Sequence, residues 1–483
     1  MRLSLKIFIS ILLLIPTVTM FTLAYQNYNG TDLTLYLSYF SDTVIYVTLS
    51  TILSVIIGTI SAFFISLYQF PYRNIYQKLY ILPLLFPSYM MALVYGEIDS
   101  SFMNIWGLIF VTTLVSFPYV YIVMYSHISS ISNDYSKTAD VFGISTYKKF
   151  KDIIFPLMMP GIIVSSIIVM SDSLSEFGAS FFYGVDTIMV VVYEHWFGIY
   201  DMGTATIISS ITLFVVFIIF YFKISMKGKI LTNPITSPTN KLIKLNKISS
   251  IIVSLGLLIP IIFSLIIPLG VLNEWFILSY RKVDFSDVWL TTFNTLGFSV
   301  VIVLITAVLS LGVLYLFKDS KLIRTLLSLN YAIPGLFLSI ILLELFTGLS
   351  TSVSFFMLVL AYVLKYNMLM LNSIEGYTSR IDRRLYYSTK SVGMGSLWFI
   401  NNIQVPLAKK GIVLGSVLVF IDVIRELPIM LTLRPFGFET ISTKIFYYYD
   451  SEWIYYTAPY FAVMLVTTLI PVLFLVRHIN DRS

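Results

Sequence analysis

Cysteine is absent, histidine occurs three times, and charged residues make up only 12% of the 483 residues. The first absence excludes disulfides and thiolate chemistry, so the redox compartment is not legible. His127, His195 and His478 stand far apart in the chain, which argues against a His-rich metal site. No Gly-x-x-x-x-Gly-Lys-Ser/Thr phosphate loop occurs, so the chain does not hydrolyse ATP by that route alone. The scarcity of charge is matched by 58% hydrophobic residues and a mean hydropathy of +0.88. Such a chain cannot bury its apolar surface in one water-soluble core, and the bilayer must act as part of its solvent. The net charge of +6 does not point to nucleic acid. The basic residues are dispersed in short segments between apolar runs, which is how membrane topology is encoded.

Apolar runs of about 20 residues predict an all-α polytopic membrane protein of about twelve transmembrane helices, starting near residues 7, 43, 79, 102, 161, 204, 248, 289, 325, 353, 411 and 457. The weakest boundaries lie between the third and fourth runs and between the ninth and tenth. The first run, "KIFISILLLIPTVTMFTLAY", has a basic flank but no small-residue cleavage site before Tyr28, so it reads as a retained span. With a cytoplasmic N-terminus, 25 of the 31 basic residues fall inside. The opposite assignment inverts the positive-inside bias, and both termini are therefore expected in the cytoplasm.

Six lysines, two prolines and no acid occupy the stretch from Lys223 to Lys247. It reads as a cytoplasmic linker, with 1–235 as a first repeat, 236–247 as the connection and 248–483 as a second repeat. Six spans per half return the chain to its starting side, so the two six-helix repeats are expected to be parallel. An offset of 250 residues, without a gap, aligns Gly143 with Gly393, Pro156 with Pro406, Gly161 with Gly411, Asp172 with Asp422 and Glu176 with Glu426. Apolar composition does not readily produce such Gly, Pro, Asp and Glu matches together, which points to internal duplication.

Two polar connections, about 127–160 and about 372–410, each hold a glycine, Gly143 or Gly393, with a proline thirteen residues later. The expectation is a short helix up to the glycine, a turn there where positive φ is cheap, and a second amphipathic helix stopped before the proline. Phe150, Ile153 and Ile154 form one apolar stripe; Trp398 and the 400–403 region form the other. Such a helix suits a groove in a partner, or the lipid surface.

These loops resemble the EAA loop of ABC importer permeases: Glu-Ala-Ala, three residues, Gly, nine residues, Ile, one residue, Leu-Pro. The first copy reads Lys137-Thr138-Ala139, Gly143, Ile153, Phe155, Pro156; the second reads Tyr387-Ser388-Thr389, Gly393, Ile403, Val405, Pro406. The spacing of Gly, Ile and Pro is kept twice, while the acidic residue and most alanines are replaced. The resemblance implies that Ala139, Gly143, Ile153, Pro156, Gly393, Ile403 and Pro406 belong to coupling elements that dock on an ATPase subunit. "SFPYVYIVM", "SLSEFGASFFYGVDTIMVVVYEHWFGIYDMGTA" and "DVIRELPIMLTLRPFGFETISTKIF" are similar to the fused, two-in-one permeases that import ferric iron. This likeness implies a transport subunit without an ATPase site of its own, with ATP and Mg on two copies of a partner ATPase. An extracytoplasmic solute-binding protein would deliver the cargo, and the chain itself would bind no cofactor. Related branches carry thiamine, polyamines, phosphonates or sulfate. A reading from another class is a twelve-span secondary transporter driven by an ion gradient; it predicts neither the duplicated Gly-Pro loop nor a need for an ATPase.

The carboxylate pairs are the remaining polar feature. Asp172 and Glu176 lie about 16 and 22 Å along a helix from Gly161, on one face, well inside a hydrocarbon core of about 30 Å. An ionisable residue there costs about 2.5–3.5 kcal/mol, so it faces a partner or a water-filled path. Two readings stand open. In one, Asp172 and Asp422 hydrogen-bond neighbouring helices and Arg425 neutralises a nearby acid. In the other, Asp172, Glu176, Asp422, Glu426 and Arg425 line a path at a pseudo-twofold axis for a cation-containing solute; ferric ion, being hard, favours oxygen ligands. His195 and Glu194 are expected outside the membrane as solvated loop residues, and Lys365 is expected to snorkel to the cytoplasmic interface.

Overall fold

The computed structural model describes residues 2–28, 33–129, 142–230, 242–317, 320–347, 353–378, 388–389 and 391–480. The described helices are α1 (Arg2–Gln26), α2 (Leu37–Leu67), α3 (Arg73–Leu79), α4 (Ser88–Ile98), α5 (Ile105–Ser129), α6 (Thr146–Lys149), α7 (Phe155–Leu174), α8 (Gly178–Phe182), α9 (Ile188–Tyr193) and α10 (Met202–Ile230). After them come α11 (Lys247–Ile261), α12 (Ile267–Ser279), α13 (Phe285–Phe317), α14 (Lys321–Ala332), α15 (Gly335–Leu345), α16 (Ser354–Thr378), α17 (Ser396–Phe399), α18 (Val405–Arg425), α19 (Pro428–Leu433), α20 (Ile441–Asp450) and α21 (Ala458–Asn480). Strand structure among the described residues is one two-residue parallel pair, Tyr68–Gln69 beside Ile243–Lys244. The chain is an all-α membrane protein: helices satisfy every backbone polar group within one segment, as hydrocarbon demands.

Nine helices among the described residues are long and apolar enough to cross a membrane by length and composition. Two bent helix pairs meet the same criterion only when their arms are taken together. Residues Arg73–Leu85 turn by 91° into α4, and α14 turns by 103° into α15. They fall where the third and ninth spans were expected and the sequence boundaries were weakest. Pro87 and Pro334 precede the second arms, and each holds an extended conformation that a continuing helix does not have. The eleventh expected span, α18, is not among the nine, because Lys409, Lys410, Asp422 and Arg425 interrupt its apolar composition.

The compact units do not coincide with the halves of the sequence. One comprises Met1–Asn29, Asp201–Leu213 and Ser279–Leu475; the other comprises Gly30–Tyr200, Phe214–Leu278 and Val476–Ser483. The first helix of each repeat thus belongs to the unit made mostly of the other repeat, and the stretch Asp201–Leu213 of the first repeat goes with the second repeat as well. In the first unit α1 packs on α14 and α15, and Asn330 donates to the Leu13 carbonyl at 2.9 Å. In the second unit the hydroxyls of Tyr76, Tyr80 and Tyr95 donate to the carbonyls of Ser254, Leu257 and Phe263 at 3.0, 2.8 and 2.6 Å. The last of these acceptors lies in the π-helical turn Ile262–Ile266, between α11 and α12, where widened geometry frees a carbonyl. The core of this unit is α2, α5 and α7; that of the other is α13, α16 and α18.

Candidate functional site

The expected shared face of Asp172 and Glu176 is not what forms. α7 ends at Leu174, and its last turn tightens through i to i+3 bonds from Ser175 N to Asp172 O and from Glu176 N to Ser173 O, at 3.0 and 3.2 Å. Glu176 therefore stands beyond the helix. In the second copy Glu426 is itself the cap of α18, with extended backbone (φ −67°, ψ 121°). Pro428 then opens α19 from its first turn, where a missing N–H is harmless. The breaks move each glutamate off the face of its aspartate.

Each glutamate meets the start of the second arm of a bent span. Glu176 Oε2 accepts a hydrogen bond from Ser88 Oγ at 2.5 Å, at the first residue of α4. Its Oε1 accepts from Ala179 N at 2.8 Å, in the first turn of α8. Glu426 Oε2 accepts from the Tyr366 hydroxyl at 2.9 Å, and its Oε1 lies so close to Gly335, the first residue of α15, that a Cβ there would collide with it. A negative group at a helix N-terminus gains about 0.3–1 kcal/mol, and more where partly buried. Hydrogen bonds to a charged acceptor add about 1.5–3 kcal/mol each. Together these offset an insertion cost of about 3 kcal/mol, so each carboxylate is held by the protein's own donors. Tyr46 lies near enough to feel Glu176 and Asp172, and Tyr366 near enough to feel Glu426 and Asp422. Asp172 is exposed; Glu176, Asp422, Arg425 and Glu426 are half-buried.

Lys365 is engaged with the protein's own backbone. It is half-buried, and its Nζ donates to the Ile333 carbonyl at 3.4 Å, at the end of α14. The sequence signal was its place one residue before Tyr366, which could be found only once the bend was known.

In the segments expected to couple to a partner, Gly143 and Gly393 take φ of +66° and +78°, the left-handed conformation expected of the turn. The second helix is not stopped by the proline. α6 passes through a π-helical turn, Phe150–Ile154, directly into α7, and α17 passes likewise through Ile400–Gln404 into α18. Phe155 N bonds to Phe150 O, five residues back. The widened turn accommodates Pro156, which cannot donate, without ending the helix. Ile153 and Ile403 are half-buried, while Pro156 and Pro406 are exposed. Phe150 packs edge-on against Phe63 of α2 at 5.6 Å, so part of the expected stripe faces its own unit. Phe142 and Tyr147 in the first copy, and Val392, Met394 and Trp398 in the second, are large apolar groups left exposed near the glycines. Ala139 lies outside the described residues.

Glu194 is exposed and opens a π-helical turn after α9; His195 beside it sets its ring edge-on to Tyr36 at 5.4 Å. Partial burial pushes the Glu194 carboxyl above its usual range, with Asp186 adding to the shift and His195 opposing it.

Residues 54–227 match the family described as binding-protein-dependent transport system inner membrane component. The chain is 22% identical over 453 residues to the Fe(3+)-transport system permease protein FbpB 2 of Haemophilus influenzae, covering 91% of this chain and 89% of that one. It is 25% identical over 194 residues to the probable sulfate transport system permease protein cysT of Marchantia polymorpha, covering 36% of this chain and 67% of that one. An 82-residue stretch is 29% identical to the probable starch degradation products transport system permease protein AmyD of Thermoanaerobacterium thermosulfurigenes, covering 17% of this chain and 28% of that one.

Proposed function

We propose that this chain, a membrane permease of the binding-protein-dependent ABC importer type, carries ferric iron inward and supplies both membrane halves from one polypeptide. The observation that carries the cargo is the extent of the likeness to the Haemophilus influenzae iron permease, which runs through both repeats, whereas the sulfate relative covers 36% of this chain. The chemistry agrees. Ferric ion is hard and seeks oxygen donors, and both units hold a carboxylate pair, Asp172 with Glu176 and Asp422 with Glu426, in segments that otherwise offer few charges. The hydrogen bonds on Glu176 and Glu426 fix where the negative charge lies before any cation arrives.

ATP and Mg belong to a separate ATPase, two copies of it, reached through the Gly143 and Gly393 turns. Because the helix after each turn runs unbroken into α7 or α18, a push on the turn is delivered as rigid movement to the end that holds Glu176 or Glu426. A solute-binding protein releases the cargo at the opposite face, and both termini lie in the cytoplasm with the coupling turns.

Uptake of labelled iron, supplied as a ferric-loaded binding protein to cells with and without this chain, tests the proposal. Uptake that needs the chain and stops when the ATPase is inhibited, but persists when ion gradients are collapsed, supports it. Chain-dependent uptake of sulfate or thiamine in place of iron overturns the cargo and leaves the permease; gradient-driven uptake overturns the ATP-driven reading.

A further inference from the structure

The first arm of each bent pair is tied by one side chain to the helix that follows the pair. On α3, Gln77 Nε2 donates to the Tyr125 hydroxyl of α5 at 2.9 Å, and both residues are buried. On α14, Arg324 Nη2 pairs with Glu375 Oε1 of α16 at 2.7 Å, and both residues are half-buried. The positions are equivalent in the two repeats. An offset of 247 residues carries Gln77 to Arg324, as it carries Pro87 to Pro334 at the bends and Glu97 to Glu344 in the second arms. An offset of 250 carries Tyr125 to Glu375, as it carries Gly143 to Gly393. Both members of the tie differ between the repeats, yet a tie stands in each, neutral in one and ionic in the other. Its place, more than its chemistry, asks for a role.

The turns of α5 and α16 that hold these ties are also the seats of α7 and α18. At Gly161 of α7 a Cβ would fall 2.9 Å from the His127 ring and from the Met124 sulfur, and His127 Nε2 is hydrogen-bonded to the Leu157 carbonyl at 2.9 Å. At Gly411 of α18 a Cβ would fall 2.8 Å from the Ser373 carbonyl oxygen, 2.9 Å from Ile374 Cα and 3.0 Å from the Tyr377 ring. Met124, Tyr125 and His127 thus join α3 to α7 through one turn of α5. Ile374, Glu375 and Tyr377 join α14 to α18 through one turn of α16. At the other end of α7 or α18, Glu176 or Glu426 meets the second arm. Each bent pair is therefore held at both arms from one helix, the one that runs on from the Gly143 or Gly393 turn.

We propose that Gln77–Tyr125 and Arg324–Glu375 are braces that make each bent pair follow α7 or α18 as a whole, so that movement received at the glycine turns reaches both arms together. These four are positioning residues and touch no cargo. Coupling between distant sites travels through packed side chains, hydrogen bonds and rigid elements, and all three are present here in series. With the brace broken, the first arm is free to lag, and the bend absorbs a movement that would otherwise be passed on. The buried Gln77 amide loses a partner when its tie opens, and the Arg324–Glu375 bond is charge-assisted, so both ties favour the closed state. The braces rest on the permease reading above, though not on iron as the cargo.

The chain has no cysteine, so Arg324→Cys with Glu375→Cys can be joined by a short bifunctional thiol reagent without background. The full chain, with its ATPase in proteoliposomes and a ferric-loaded binding protein, is read by the stimulation of ATP hydrolysis by that protein and by iron carried per ATP. The unlinked cysteine pair is expected to lose about fivefold in both, and cross-linking to return both to near wild type. Arg324→Gln alone is expected to act like the unlinked pair, and Arg324→Gln with Glu375→Tyr, the partners used in the first repeat, to restore stimulation. Tyr125→Phe removes a single hydroxyl and is expected to lower stimulation in the same direction. Variants that melt earlier but keep wild-type stimulation per folded complex overturn the braces, since a purely structural tie predicts that result. A cross-link that blocks stimulation also overturns them, because the contact is then one that must open. Wild-type chain that gives no ATP response to binding protein overturns the permease reading and takes the braces with it; stimulation without iron transport overturns the cargo alone.

Discussion

Lys365 and Glu426 bracket one helix break from opposite ends: Lys365 donates to the Ile333 carbonyl where α14 stops, and Glu426 lies against Gly335 where α15 starts. The signs match the dipoles, positive at a carbonyl end and negative at an amide end. Tyr366, next to Lys365 in α16, holds Glu426 at 2.9 Å. One turn of α16 thus serves both sides of the bend, and the interruption of helical hydrogen bonding within an apolar segment is made tolerable by side chains.

Replacing Lys365 with Met keeps the aliphatic stem but strips the donor from the Ile333 carbonyl. The expected cost is about 1–3 kcal/mol, read as a lower melting temperature of the purified protein, with Lys365→Arg largely restoring it. A lysine that merely reached toward the interface would give no such difference, and equal melting of Lys365→Met and wild type would remove the bracketing role.

Gly143 and Gly393 sit at φ of +66° and +78°, and at each the place a Cβ would take has no atom within 4 Å. Space is therefore no obstacle to a side chain; backbone strain is. A β-branched residue in this conformation costs about 1–3 kcal/mol. Gly143→Val together with Gly393→Val is expected to leave membrane insertion intact, to reduce ATPase co-purification, and to lower uptake several-fold. Undiminished co-purification and uptake would sink the coupling assignment.

Much of this arrangement was legible in the sequence, and the losses have physical causes. The positive-φ turns followed from the glycines alone, because few other residues occupy that region. The membrane class followed from composition, and the third and ninth spans were marked by weak boundaries, although the bends were not. The continuation of α7 through Pro156 was hidden because a π-helical turn leaves no residue signature of its own. The separation of Asp172 from Glu176 was hidden for a related reason. Spacing of four implies one face only while the helix persists, and nothing in "DSLSEFGAS" announces its end at Leu174. The exchange of first helices between units depends on long-range packing such as Asn330 on Leu13, which no local pattern reports.

The orientation of the chain is tested by fusion. A reporter active only in the cytoplasm is expected to work when joined after Ser237, in the lysine-rich linker, and to be silent when joined near Tyr280, between α12 and α13. The reverse pattern would overturn the cytoplasmic placement of the termini and, with it, the face assigned to the coupling turns.

Glu176→Gln with Glu426→Gln separates charge from shape. A glutamine at 176 can keep an oxygen toward Ala179 N and turn its amide toward Ser88 Oγ, which is able to accept; at 426 an amide oxygen can still receive the Tyr366 hydroxyl. The hydrogen-bonded frame at both bent spans therefore survives, and the amount of folded protein and its ATPase association are expected to match wild type. The negative charge alone is lost. A ferric ion that sheds water in the path then lacks compensating charge, and desolvating a cation without it is severely unfavourable. Uptake of labelled iron is expected to fall tenfold or more. Asp172→Asn with Asp422→Asn is expected to act in the same direction. The exposed Asp172 and half-buried Asp422 face different surroundings, so the two single variants distinguish the copies. Wild-type uptake in the quadruple variant removes the acidic path and returns the glutamates to a purely architectural role at the helix starts, while the permease assignment stands on the repeat, the loops and the relatives.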